Sequence, residues 1–294
     1  PYLVPNSVNR DVIRGFQVEP TRDIDDLIAQ SAHQQVGDEF AAKLIEIWRL
    51  TDQVAQVAPC GGIFGGDGFT WYRFWARPMV PDIGAIPEAD RRYYEQHFLS
   101  HFNNPHNVDL GADMLWKMMS VEQCDASIKI FDAEVWSRMV QAIALVEQAV
   151  TQAADGSIPS GVFMDLRDRL VAYRCFAKTL RNLSAWVAGV HGYLAAETEA
   201  EKQSRLTIVQ EMVASELANA KALLKLWKSS VVDFMPLNAY SETMHNYGVN
   251  FGEVLQKKIA LMEQYGDRPP HIDPDYMWRM PEGSGITKDD YMGY

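Results

Sequence analysis

The chain predicts an all-α fold, and three observations carry that expectation. Apolar residues recur three and four positions apart along several long stretches. Those stretches open at capping residues and stop at glycine or proline. No strand-period run of any length interrupts them.

Taken in order, residues 1–22 show no helical period and read as an irregular lead-in, the tail end of an earlier element. Asp23-Ile24-Asp25-Asp26, after Pro20, places acids at a helix start, where they oppose the positive end of the helix dipole. This helix runs to about Val36 and stops at Gly37. Asp38 then caps a second helix with Phe40, Leu44, Ile47, Trp48 and Val54 on one face, ending near Pro59. A glycine-rich aromatic segment follows, then Pro78, Pro81 and Pro87. Pro87-Glu88 begins a helix to about Phe102, with proline in its first turn. Asn103-Asn104-Pro105 breaks it, and Asp109 caps a short helix through Met119.

From Ser120 the helices lengthen. One carries Ile128, Phe131, Val135, Met139, Ile143, Val146 and Val150, and ends at Asp155-Gly156. The next, roughly 161–196, carries Phe163, Leu166, Leu170, Tyr173, Phe176, Leu180, Leu183, Trp186, Val190 and Tyr193. Thr198-Glu199-Ala200-Glu201 is a capping box, in which hydroxyl and carboxylate each satisfy a free amide. It opens a helix to about Lys228, with Leu206, Val209, Met212, Leu217, Leu223 and Leu226 inward. A last helix runs from about Val249 to Tyr265 and closes at Gly266. The organisation expected is one helical domain over 23–266: short helices and the aromatic loop in 23–119, an antiparallel long-helix bundle in 120–266. Residues 267–294, rich in proline and glycine yet keeping Tyr276, Trp278, Tyr291 and Tyr294, read as a docking tail.

The 294 residues suffice for a large core. A formal net charge of −12 argues against nucleic acid, whose binding rests on neutralising phosphates. No apolar run approaches the roughly 20 residues that span a bilayer, so no membrane partner is expected. Cys60, Cys124 and Cys175 are far apart and odd in number, which supports neither a disulfide framework nor a zinc site. The chain opens at Pro1, which reads as a piece or a processed form of a longer polypeptide.

The stretch from Gly61 to Pro78 packs glycines, aromatic rings and two arginines between helical segments. In an extended conformation Trp71, Arg73, Trp75 and Arg77 share one side, and Tyr72 and Phe74 the other. Two readings stand. One side anchors the loop in the core, or the rings form a wall that stacks on a sugar while the arginines bind hydroxyls or a carboxylate. Asp67 is the acid within this loop that could exchange a proton. His191, in Gly189-Val190-His191-Gly192-Tyr193, is either a hydrogen-bonded core residue or part of a ligand-admitting wall. Arg174 and Arg181, two turns apart, pair with acids or hold an anion. His97 and His101 have the i, i+4 spacing of two imidazoles sharing an ion, with Glu95 and His106 nearby. Glu242-x-x-His245 is half of a di-iron signature, and no second copy exists. No metal or cofactor is assigned from these fragments. No nucleophile motif is present, and the Gly61–Gly68 loop lacks the lysine of a phosphate loop.

The helix start at Asp23, the run Ala41-Ala42-x-Leu44-Ile45-x-x-Trp48-x-Leu50 and the segment from Phe69 to Asp82 carry a likeness. So do Tyr93-Tyr94, the stretch from Asn104 to Leu110, and Ala185-Trp186-x-x-Gly189-Val190-His191-Gly192-Tyr193. The stretch from Asp23 to Val54 resembles the helical region that follows the (β/α)8 barrel in large glycoside hydrolases of the α-glucuronidase and α-N-acetylglucosaminidase kind, and the segment from Phe69 to Asp82, with the later stretches, is similar to glycosidase-like proteins of unassigned activity in carbohydrate-degrading bacteria. The resemblance implies a C-terminal helical domain or subunit that packs against a catalytic barrel and lines a carbohydrate pocket. It puts the catalytic carboxylates on that barrel, so no catalytic residue is assigned here, and it implies a periplasmic or secreted location. Trp71, Arg73, Trp75, Arg77, Asp67 and His191 are the residues it would turn toward the sugar or the barrel. Two rival readings remain: a non-catalytic helical scaffold that oligomerises, and a metal-dependent helical enzyme.

Overall fold

The computed structural model describes residues 7–57, 77–90, 120–232 and 251–272. The expected class holds: the described residues are helical, with no strand and a single isolated bridge between Asp82 and His271. The chain divides into two compact units. Unit 1 takes residues 1–58, 132–174 and 230–232; unit 2 takes 59–131, 175–229 and 233–294. A single helical domain over 23–266 was expected instead. Each unit is assembled from separated stretches of chain, so no linker composition marks the division.

Unit 1 begins with α1 (Ser7–Val18), α2 (Ile24–Val36) and α3 (Asp38–Val57). Helix α1 corrects the expectation of an irregular lead-in. Val8, Val12 and Phe16 have a helical spacing, and the prolines at 1, 5 and 20 lie outside it. Gly15 sits inside α1 because a Cβ there would come within 2.4 Å of Leu27 Cδ2. At the start of α2 the Asp23 carboxylate accepts the Asp25 amide at 2.7 Å, the predicted cap. Gly37 ends α2 at φ +76°, a conformation other residues adopt only under strain. Its carbonyl also starts α3, accepting the Ala41 amide at 3.1 Å. Asp38 therefore sits in the first turn of α3 rather than capping it, and accepts from His33 Nδ1 at 2.7 Å.

Helix α4 (Val121–Ile130) belongs to unit 2 and starts at the Ser120 capping box with Gln123. A π turn (Phe131–Val135) follows, then α5 (Trp136–Gln152) in unit 1. The predicted stripe explains the π turn. Phe131, Val135, Met139 and Ile143 are spaced by four, which outruns the 3.6-residue period, and a wider turn absorbs the excess. After the Asp155-Gly156 turn, with Gly156 at φ +71°, α6 (Ile158–Trp186) begins in unit 1 and continues into unit 2 from Cys175. The core of unit 1 joins α2, α3, α5 and the first half of α6: Val36, Phe40, Leu44, Ile47, Ile143, Val146, Phe163 and Leu170. Phe40 and Phe163 meet edge to face at 5.7 Å.

In unit 2, α6 ends in a second π turn (Val187–His191) and the short α7 (Gly192–Ala195). Then α8 (Glu199–Ser229) starts at the predicted box: the Glu201 amide donates to Thr198 Oγ1 at 3.2 Å, and Glu201 Oε2 accepts the Thr198 amide at 3.1 Å. Those bonds hold the Glu201 carboxyl below its ordinary range. Helix α9 (Phe251–Tyr265) closes at Gly266, as predicted, and packs on α8. Of the six residues expected inward on α8, Val209, Met212 and Leu223 are buried, whereas Leu206, Leu217 and Leu226 are half-buried.

Candidate functional site

The residues that sequence reasoning singled out fall into two sets. Asp67, Trp71, Arg73 and Trp75 lie outside the described residues. So do Glu95, His97, His101, His106, Glu242 and His245, the helix predicted from Asp109 to Met119, and all but the first turn of the one predicted from Pro87 to about Phe102, whose start at 88–90 is helical. Arg77 and His191 are described, both in unit 2.

Arg77 is 0% exposed and begins a buried stretch without regular secondary structure through Met79, Val80 and Pro81. In this conformation it offers no surface to a sugar. The stretch is held by Trp186, whose indole N–H donates to the Val80 carbonyl at 2.7 Å. The Asp82 carboxylate accepts the Ala85 amide, forming the 3-10 turn Ile83–Ala85, and Ile83 and Ile86 are buried after it. The His271 amide donates to the Pro81 carbonyl at 3.1 Å. The aromatic segment's far end is therefore a fixed anchor in unit 2.

Trp186 is also the last residue before the second π turn. Such turns insert one residue into a helix and are frequent at functional sites. Here the insertion carries His191 to an edge-to-face contact with Trp186 at 5.6 Å. His191 is half-buried, between a core residue and an open wall. Gly189 lets the turn close on α8: a Cβ there would lie 2.6 Å from Val209 Cγ2 and 3.2 Å from the Val209 backbone nitrogen. Gly192 likewise gives way to the Arg205 side chain, which donates to Asp125 at 2.8 Å. The glycines around His191 thus serve close helix packing.

Sequence reasoning missed the second polar feature of unit 2, a buried network. Lys258 of α9 donates to Glu216 Oε1 of α8 at 2.5 Å, with side chains 1% and 0% exposed. Thr179 Oγ1 donates to the same carboxylate at 2.8 Å, and Asn182 Nδ2 to its other oxygen at 2.8 Å. Asn219 donates to the Cys175 carbonyl, and Ser215 to Asn182 Oδ1. Burial pulls the Lys258 ammonium below its ordinary value, against the pull of Glu216 in the other direction. One signal was available. Lys258 stands at a stripe position of α9, between Val254, Leu255, Leu261 and Met262, where a lysine is out of place without a partner.

Elsewhere, Arg174 lies 6.0 Å from the Trp136 ring centre, within unit 1. Cys124 and Cys175 are buried free thiols, and burial beside Asp125 pushes Cys124 up to about 12, so it stays protonated. Among the described residues no three His, Cys, Asp or Glu side chains are grouped to hold a metal ion, and no helix is long and apolar enough to cross a membrane. No protein-family model, curated protein or solved structure matches the chain.

Proposed function

We propose that this chain is the helical, non-catalytic part of a glycoside-hydrolase-like enzyme, presenting the segment that ends at Arg77 to a carbohydrate or to the barrel that cleaves it. The observation that supports this is the anchor. Arg77 through Pro81 is sealed into unit 2, and Trp186 fixes Val80 by a hydrogen bond. A binding loop gains affinity when part of its ordering is already done in the free protein. The test is titration calorimetry of the full protein with a panel of neutral and uronate-bearing oligosaccharides. Trp75→Ala is expected to weaken binding at least about tenfold, the loss of one stacked ring. A fall in thermal stability with unchanged sugar affinity would assign the segment to packing alone.

A second reading, a scaffold that associates with copies of itself, draws on unit 1. Ile13, Val18 and Ile24 are each more than half exposed around the α1–α2 turn. Light scattering over a range of protein concentrations distinguishes the two: a mass that rises with concentration, without any response to sugar, supports the scaffold.

A further inference from the structure

The crease between α1 and α2 in unit 1 holds two arginines, Arg14 and Arg22, that form no ion pair with a described residue. It is an open groove of about 280 Å³. Helix α1 supplies Asp11, Arg14, Gly15 and Val18; the turn supplies Glu19 and Arg22; α2 supplies Leu27, Gln30, Ser31 and Gln34. Both walls show the same i, i+3, i+4, i+7 spacing, so each is one helix face rather than a chance cluster. Gly15 brings the walls together over buried Leu27, and buried Ser31 gives the floor a hydroxyl.

The charges are unevenly settled. Asp11 is already paired with Arg10 at 3.3 Å. Arg14 and Arg22 form no ion pair or side-chain hydrogen bond with any described residue, although the chain carries a formal net charge of −12. The amides of Gln30 and Gln34 are likewise without a partner among the described residues. The groove's lining thus holds two arginines without an ion pair beside two acids, Asp11, already paired with Arg10, and Glu19. Guanidinium forks match carboxylate and phosphate oxygens, and amides and a hydroxyl complete the set for a polar ligand. The volume is at the lower end for small-molecule sites.

We infer that this crease binds a compact oxyanion, a carboxylate or a phosphate, between Arg14 and Arg22. The inference is independent of the carbohydrate reading. The full chain is titrated with citrate and, separately, with inorganic phosphate at matched ionic strength, following the thermal midpoint. The expected result is a saturable rise of about 4 °C with at least one of them, and the more effective probe identifies the oxyanion. Arg14→Gln with Arg22→Gln removes the rise, and Glu19→Gln shifts the titration to lower concentration by removing a repulsive charge. Arg268→Gln, which removes one positive charge from unit 2, leaves it intact. No saturable response to either probe, or an equal loss in Arg268→Gln, overturns the inference.

Discussion

The two units bury different things. Unit 1 closes on an apolar cluster in which Phe40 and Phe163 meet inside a shell of leucine, isoleucine, valine and alanine. Its one buried carboxylate among the described residues, Asp168, takes Arg167, whose side chain keeps 32% of its surface exposed, and caps the Val231 amide at 2.9 Å. Unit 2 places a lysine and a glutamate wholly inside, tied to Thr179 and Asn182. An apolar core tolerates volume-conserving changes, whereas a buried charge pair that loses one partner leaves the other charge buried and uncompensated. The contact of α8 with α9 in unit 2 therefore carries a charge pair as well as apolar packing.

The sharpest way to break this contrast is to strand the charge. Lys258→Ala leaves Glu216 buried without its cation, and the expected loss is about 3–5 kcal/mol, read from urea unfolding. Lys258→Met, which keeps most of the volume, is expected to lose nearly as much, because the stranded carboxylate sets the loss. Lys258→Met with Glu216→Gln removes both charges while keeping a side-chain carbonyl for Thr179, and is expected to recover most of it. If Lys258→Met alone matches the wild type, the pair contributes nothing to unit 2. The same lysine carries a pH signature. Its folded-state value lies below the ordinary 10.5, so as pH rises the native form gives up the proton before the unfolded chain does. Stability contributed by this group therefore rises with pH between the folded value and 10.5, and the double variant should lose that rise.

In unit 1 the counterpart is Phe163. Phe163→Ala is expected to lose about 3–5 kcal/mol, the transfer term plus the cavity beside Phe40. Phe163→Leu, which keeps the site apolar and nearly filled, should lose far less, under about 2 kcal/mol. The conservative change is thus mild in one unit and severe in the other. Equal losses for Phe163→Leu and Lys258→Met would erase the distinction between the cores.

Local chemistry is what the sequence made legible. Asp23, Gly37, Ser120, Thr198 with Glu201, and Gly266 mark helix ends through bonds to residues within four positions, so each end could be read without the fold. The stripes through Phe163 and Val146 were legible for the same reason. What was not legible depends on distance. The partner of Lys258 lies 42 residues away, and Trp186 reaches back 106 residues to Val80. For Arg77 the sequence left open a core anchor or a ligand wall, and only the structure shows Arg77 buried, with Trp186 holding Val80 nearby. Helix α1 was hidden by the prolines around it and by Gly15, whose reason for being in a helix is Leu27 on another one.

If helix ends are local, the contrast between the units should vanish there. Asp23 of unit 1 and Ser120 of unit 2 are both exposed caps: Asp23 holds the Asp25 amide at 2.7 Å, and Ser120 holds the Gln123 amide at 3.1 Å. Asp23→Ala and Ser120→Ala are each expected to lose about 1 kcal/mol by denaturant unfolding, with no dependence on which core lies behind the helix. Asp23 adds a charge at the positive end of α2, so its loss should shrink with added salt, whereas that of Ser120 should not. Equal and small losses would confine the difference between the units to their interiors. A loss at Ser120 several times larger would mean that α4 depends on its capping box to support the π turn packed beside it, and that the polar organisation of unit 2 extends to its helix ends.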